Sequence, residues 1–86
     1  MATTTVAVRY FAAARAAAGV EAEKIDVPAD ATVEGLLAAV RAQHGDELSA
    51  VLDRCSFLLD EAAVRDRGTL LAGAATLDVL PPFAGG

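Results

Sequence analysis

The sequence predicts a small two-layer α+β domain: a mixed sheet crossed by one main helix, with an extended C-terminal tail. Three observations lead there. Alternating apolar positions mark strands near both ends of the chain, at 6–11 and 76–80. An apolar stripe at helical spacing, Val33, Leu36, Leu37 and Val40, lies between them. The chain has 86 residues, room for a single domain.

The elements follow in order. From Val6 to Phe11 the chain reads as a strand, with Val6, Val8 and Tyr10 on one face and Ala7, Arg9 and Phe11 on the other. The alanine-rich stretch Ala12 to Ala18 favours a short helix, and Gly19 stops it. Glu21 to Val27 forms a second strand, with Ile25 and Val27 inward, Lys24 and Asp26 outward, and Pro28 closing it. The two strands form a hairpin with a wide connection. Thr32 is the expected N-cap of the main helix, and Glu34 in the first turn suits the helix dipole. Gly35 suggests a close approach to the sheet, and Gly45 is the expected stop after His44. Leu48, Val51 and Leu52 mark a second, shorter helix.

From Ser56 the strand pattern returns. Ser56 to Leu59 is a short apolar run, Asp60-Glu61 a turn, and Ala62 to Val64 a weak return strand. Residues 65–68 form a polar loop, and Thr69 to Leu71 a short apolar link broken by Gly73. The last strand, Thr76 to Leu80, sets Leu77 and Val79 on one face and Asp78 and Leu80 on the other. Pro81-Pro82 ends it, because two successive residues lack an amide donor. The helical connection favours a parallel neighbour for the first strand, and a central first strand beside the last one satisfies that. The folded domain is expected over residues 1–80 and a flexible tail over 81–86.

Composition narrows the function. Apolar residues are 55% of the chain, yet 21 residues are alanine, so the larger side chains must be placed well to hold so small a core. The net charge of −5 argues against nucleic acid and against a polybasic membrane contact. No apolar run is long enough to span a bilayer, and no secretory signal pattern is visible, so the cytoplasm is the expected location. With one cysteine and one histidine, an internal disulfide and a His/Cys zinc site are both excluded. His44 at a helix end reads as a capping or solvated residue, and Cys55 before an apolar strand as a small buried hydrophobe. The acids are scattered singly, and no glycine loop has phosphate-cradling spacing. The residues give no autonomous active site.

The ending Leu80-Pro81-Pro82-Phe83-Ala84-Gly85-Gly86 is the distinctive feature. The prolines favour a stiff, extended exit from the last strand. Two residues without side chains then carry the carboxylate, a shape suited to a channel too narrow for a Cβ.

The chain here resembles the small sulfur-carrying subunits of molybdopterin synthases, within the ubiquitin-like sulfur-carrier family. Three stretches carry the resemblance: 8–15 (Val-Arg-Tyr-Phe-Ala-Ala-Ala-Arg), 31–37 (Ala-Thr-Val-Glu-Gly-Leu-Leu) and 78–86, with Pro-Pro two residues before Gly-Gly. Two positions depart from the family pattern. Gly73-Ala74-Ala75 stands where the family usually has Gly-Asp, and Asp60 where an asparagine is usual.

The resemblance implies a β-grasp fold and a carrier that is not catalytic alone. It implies that Gly86 is adenylated by an activating enzyme using ATP, then converted to a thiocarboxylate by a sulfur donor protein. Gly85 lets the tail enter the active site of the large synthase subunit, where sulfur passes to cyclic pyranopterin monophosphate. No bound cofactor and no metal are expected. Alternation places Phe11 and Leu80 opposite the core, as one apolar patch beside the tail. The resemblance adds Ala63 to this partner-binding surface, and the tail residues Pro81, Pro82, Phe83 and Ala84 belong to it too. Sulfur carriage for thiamine thiazole or cysteine synthesis, and a ubiquitin-like protein modifier, are the alternatives.

Overall fold

The computed structural model describes residues 2–82. In chain order the elements are β1 (Thr3–Tyr10), α1 (Ala12–Ala18), β2 (Ala22–Pro28), α2 (Val33–Gln43), α3 (Asp46–Leu52), β3 (Ser56–Leu59), β4 (Ala62–Ala63) and β5 (Thr76–Leu80). They build one five-stranded sheet in the order β2-β1-β5-β3-β4. β1 runs antiparallel to β2 and parallel to β5, and β3 runs antiparallel to both β5 and β4. The parallel pairing of β1 with the last strand matches the reading of the sequence, but the centre of the sheet is β5 rather than β1, because β3 and β4 add only on the far side of β5 and leave β1 between β2 and β5.

The helices cover one face, and the core lies between. Val6, Val8 and Tyr10 of β1, Ile25 and Val27 of β2, and Leu77 and Val79 of β5 meet the α2 stripe Val33, Leu36, Leu37 and Val40. Leu48 and Leu52 of α3 complete it, with Phe57 and Leu71. The α2 stripe is fully buried, as its spacing predicts. Apolar burial of this kind is the main favourable term in folding.

Several local features have simple causes. Gly19 takes a left-handed conformation at φ 80° and ends α1. The Thr32 hydroxyl accepts from the Gly35 amide at 3.1 Å. The next free amides of α2, from Val33 and Glu34, donate to the carbonyls of Thr69 and Arg67. The 65–71 segment thus serves as a cap for α2.

Three local expectations change. Pro28 is the last residue of β2 rather than a stop before it, since β2 is an edge strand and a missing donor there leaves no ladder bond unmade. Gly35 is exposed and faces the N-cap, where a Cβ would make ordinary contact with Thr32 and Ala31, so it does not serve sheet packing. His44 is the C-cap of α2 in extended conformation, and Gly45 is the N-cap of α3 rather than a helix stop.

Candidate functional site

The face of the sheet opposite the helices has no helix packed on it. Its residues can be read from the register, because directly paired residues point to the same side. Arg9 pairs with Ala22 and Asp78, Asp78 with Leu58, and Leu58 with Ala63. One row therefore crosses the sheet as Ala22, Arg9, Asp78, Leu58 and Ala63. Leu80 pairs with Ser56 in the adjoining row. The same register carried one residue further sets Phe11 beside Leu80, and the Phe11 amide donates to the Val79 carbonyl.

The structure thus brings Phe11, Ala63 and Leu80 onto one side of the sheet. Ala63 is exposed, while Phe11 and Leu80 are half-buried rather than fully exposed. Neither Phe11 nor Leu80 belongs to the core or packs against it. Phe11 lies one residue beyond β1, as the N-cap of α1, because the chain turns there into the alanine helix. Leu58 is an apolar member that sequence alternation did not single out, since a continuous run such as Ser56 to Leu59 conceals which residue faces which way.

An ion pair lies in the middle of this face. Arg9 Nε and Nη2 donate to the two carboxylate oxygens of Asp78 at 2.5 and 2.8 Å. The Asp78 side chain is 9% exposed and that of Arg9 44%. The hydrogen bond and the charge of Asp78 raise the Arg9 pKa above its ordinary value. Each partner was visible in the sequence as a charge within an apolar strand; their pairing needed the parallel β1–β5 register.

β5 delivers the tail from the centre of the sheet. Leu80 is its last residue, Pro81 is half-buried and Pro82 exposed. A groove of about 520 Å³ runs beside these prolines, lined by Ala13 of α1 and by Ala50 and Val51 of α3. Phe83, Ala84, Gly85 and Gly86 lie outside the described residues.

The remaining chemical groups have structural partners. Cys55 is buried, its Sγ donates to the Val51 carbonyl, and burial pushes its thiol pKa up, away from the reactive thiolate. His44 Nε2 lies 2.5 Å from Glu23 Oε2, which also accepts from the Tyr10 hydroxyl at 2.6 Å. Desolvation, followed by the Glu23 contact, drives the Tyr10 pKa well above its ordinary value. His44 is therefore tied into the β1–β2 pair instead of being solvated. Among the described residues no group of acids, histidine and cysteine is placed to hold a metal ion. No helix there is long and apolar enough to cross a membrane.

Comparison with known proteins follows from this geometry. The ThiS family matches residues 8–86. The chain is 35% identical over 83 residues to the molybdopterin synthase sulfur carrier subunit of Chlamydomonas reinhardtii, covering 94% of this chain and 98% of that one. Two crystal structures of Haloferax volcanii small archaeal modifier protein 1 (SAMP1) superpose with TM-scores of 0.83 and 0.78 at 29% and 28% identity. They cover 95% and 93% of this chain and 99% of each of those. Subunit 1 or 2 in the Helicobacter pylori molybdopterin-converting factor complex matches at TM-score 0.60 and 24% identity, over 96% of this chain and 100% of that one, a likeness of fold. The mixed sheet with its crossing helix is the β-grasp arrangement of these ubiquitin-like proteins.

Proposed function

The chain belongs to the ThiS family of ubiquitin-like sulfur carriers, and from that membership we propose that it carries sulfur on the carboxyl group of Gly86 for molybdenum cofactor synthesis. A free carboxylate is a poor electrophile, because its leaving group would be oxide. An adenylating enzyme solves this by transferring AMP from ATP to Gly86, with release of pyrophosphate. A persulfide on the sulfur donor protein then attacks the acyl adenylate and expels AMP, and a second thiol cleaves the acyl disulfide so formed, leaving the thiocarboxylate on Gly86 and a disulfide on the donor side. The large subunit of molybdopterin synthase takes in the tail, and sulfur passes to cyclic pyranopterin monophosphate. Phe11, Ala63 and Leu80 form the docking face, Pro81 to Ala84 set the reach of the tail, and Gly85 passes the narrow entrance.

The observation that carries this reading is the exit of the tail. The central strand β5 ends at Leu80, beside Phe11, and passes directly into Pro81-Pro82. A partner seated on the open face is thereby next to the root of a stiff segment that points away from the strand. The Chlamydomonas relative, a sulfur carrier subunit of this synthase, supports the same pathway over the thiamine and cysteine alternatives.

The test is intact-mass measurement after incubation with ATP, the activating enzyme and the sulfur donor. The expected product has gained the mass difference of sulfur over oxygen, and a chain lacking Gly86 gains nothing. Equal loading of the truncated chain refutes the assignment. The likeness to SAMP1 favours one second reading, a protein modifier joined through Gly86 to lysines. That reading predicts larger conjugates in place of a released carrier.

A further inference from the structure

We propose that the Arg9–Asp78 pair is the specificity element of the open face, demanding from the partner a neutral hydrogen-bond acceptor, a peptide or carboxamide oxygen, opposite the Arg9 guanidinium. The proposal rests on the reading of this face as the docking surface. The reasoning starts from hydrogen-bond capacity. A guanidinium has five N–H donors and no acceptor. Asp78 takes one from Nε and one from Nη2, so three donors remain. No other side-chain hydrogen bond of Arg9 occurs among the described residues, and its side chain is 44% exposed. Water can serve these donors in the free carrier. When a partner covers the face, water is displaced.

The neighbours on the sheet cannot replace it. Along β1 the same face holds Ala7, flanked by Lys24 and Thr76, and across the pairs it holds Ala22, Leu58 and Ala63, with Phe11, Leu80 and Ser56 toward the tail, and none of these side chains accepts a hydrogen bond from Arg9. A purely apolar partner surface would bury three donors without acceptors, which is costly. A partner with a matching oxygen avoids that cost, and any other partner is rejected by it.

Charge decides which kind of oxygen fits. Asp78 already neutralises Arg9, the Glu61 carboxylate contributes further negative potential at Arg9, and the whole chain carries −5. A partner carboxylate would enter a negative field. A carbonyl or carboxamide oxygen accepts the hydrogen bonds without that repulsion. There is space for it: a depression of about 480 Å³ opens beside Arg9, lined by Asp60, Glu61, Ala75 and Thr76. The Thr76 hydroxyl and the amides of Ala75 and Thr76 already donate to Asp60 Oδ1, so the donors that this depression leaves open are those of Arg9. Asp78 is the positioning residue, since its two oxygens hold the guanidinium plane fixed.

The experiment is calorimetric titration of full-length variants against the large synthase subunit, with a thermal melt of each. Arg9→Lys keeps the charge and can still pair with Asp78, but loses the planar fork. The double variant Arg9→Leu/Asp78→Ala makes the centre of the face apolar. Both are expected to bind about tenfold more weakly, with little dependence on salt, while still melting cooperatively. Leu80→Asp is the control for the face itself and should abolish binding. If Leu80→Asp abolishes binding and the double variant binds as tightly as the parent, the specificity proposal is overturned and the docking face stands. If Leu80→Asp binds normally, the docking face is wrong and the proposal falls with it.

Discussion

Adjacent residues on β5 offer the sharpest test of how the fold separates stability from binding. Val79 is fully buried in the core, where it pairs with Tyr10 and Phe57. Leu80 is half-buried, lies on the other face and packs against no core residue. Val79→Ala removes two carbons from a filled core. The transfer term is about 1.6 kcal/mol, and the residual cavity brings the cost to about 2–3 kcal/mol. For a domain of this size that lowers the melting temperature by roughly 10–20 °C. Leu80→Ala removes three carbons, worth about 2.4 kcal/mol on full burial. Most of that burial already exists in the free carrier, so the fold loses roughly 1.5–2 kcal/mol, less than at Val79 because no core cavity is left, and the melt falls by roughly 6–16 °C. The remainder, at most about 0.8 kcal/mol, is gained only under a partner, which makes the binding loss about two- to fourfold. Differential scanning calorimetry and titration against the large synthase subunit read the two effects separately. A Leu80→Ala variant that melts as low as Val79→Ala, with binding lost only in proportion to unfolding, would refute the face assignment.

Three further outcomes are expected. Gly85→Val should leave the melting temperature unchanged while sulfur transfer in the assembled synthase is lost, because a branched Cβ blocks a narrow entrance; full activity with normal loading would show that the tail is not threaded. Asp60 has its carboxyl held below the ordinary range, chiefly by the Thr76 amide, so its stabilising contribution is present above the unfolded carboxylate range and is lost as pH falls through the folded value. Acid melts of Asp60→Ala should therefore converge on the parent at low pH, and a gap between the two that stays constant with pH counts against this. Glu23→Leu removes the acceptor of the Tyr10 hydroxyl and should cost about 1–3 kcal/mol, whereas adding Tyr10→Phe should recover much of it; a double variant no better than the single one would show that the hydroxyl is served by other means.

The legible parts of this chain were those where one periodicity governs. The α2 stripe, the alternation of β5 and the α1 alanines ending at Gly19 lie where the sequence placed them, because one periodicity or propensity governs each; the Ser56 strand lies there too, although its continuous apolar run hides which residues face the core. The less legible parts depend on contacts between distant segments. Arg9 and Asp78 are separated by 69 positions, and nothing local records that they meet. His44 read as a capping or solvated helix end; it is the C-cap of α2, but its side chain is tied down because its partners, Glu23 and Tyr10, lie on two other elements. Gly45 read as a stop because glycine serves both a C′ position and an N-cap, and only the backbone decides between them. The open face of the sheet was half legible: alternation found the outward positions Phe11 and Leu80, and register supplied Leu58 and placed Ala63 on the same side.

The contact between Asp60 and the start of β5 leads back to the tail. Asp60 and Glu61 both take left-handed backbone conformations, at φ 45° and 70°, a turn that asparagine and aspartate tolerate better than most residues. With the backbone fixed there, the Asp60 carboxylate reaches across to the start of β5 and accepts from the amides of Ala75 and Thr76 at 3.0 and 2.9 Å and from the Thr76 hydroxyl at 3.3 Å. A charged oxygen holds these donors more strongly than a neutral amide oxygen would. The segment before β5 therefore needs no acidic side chain of its own, and Gly73-Ala74-Ala75 suffices: Gly73 takes φ 79°, Ala74 is buried and its amide closes a turn on Leu71. The start of β5 is thus tied to the β3–β4 turn, its middle to β1 through Arg9 and Asp78, and its end to Ser56. A carrier needs this rigidity, because any slip of β5 would move the root of the tail by the same distance, and sulfur transfer depends on where the tail tip arrives.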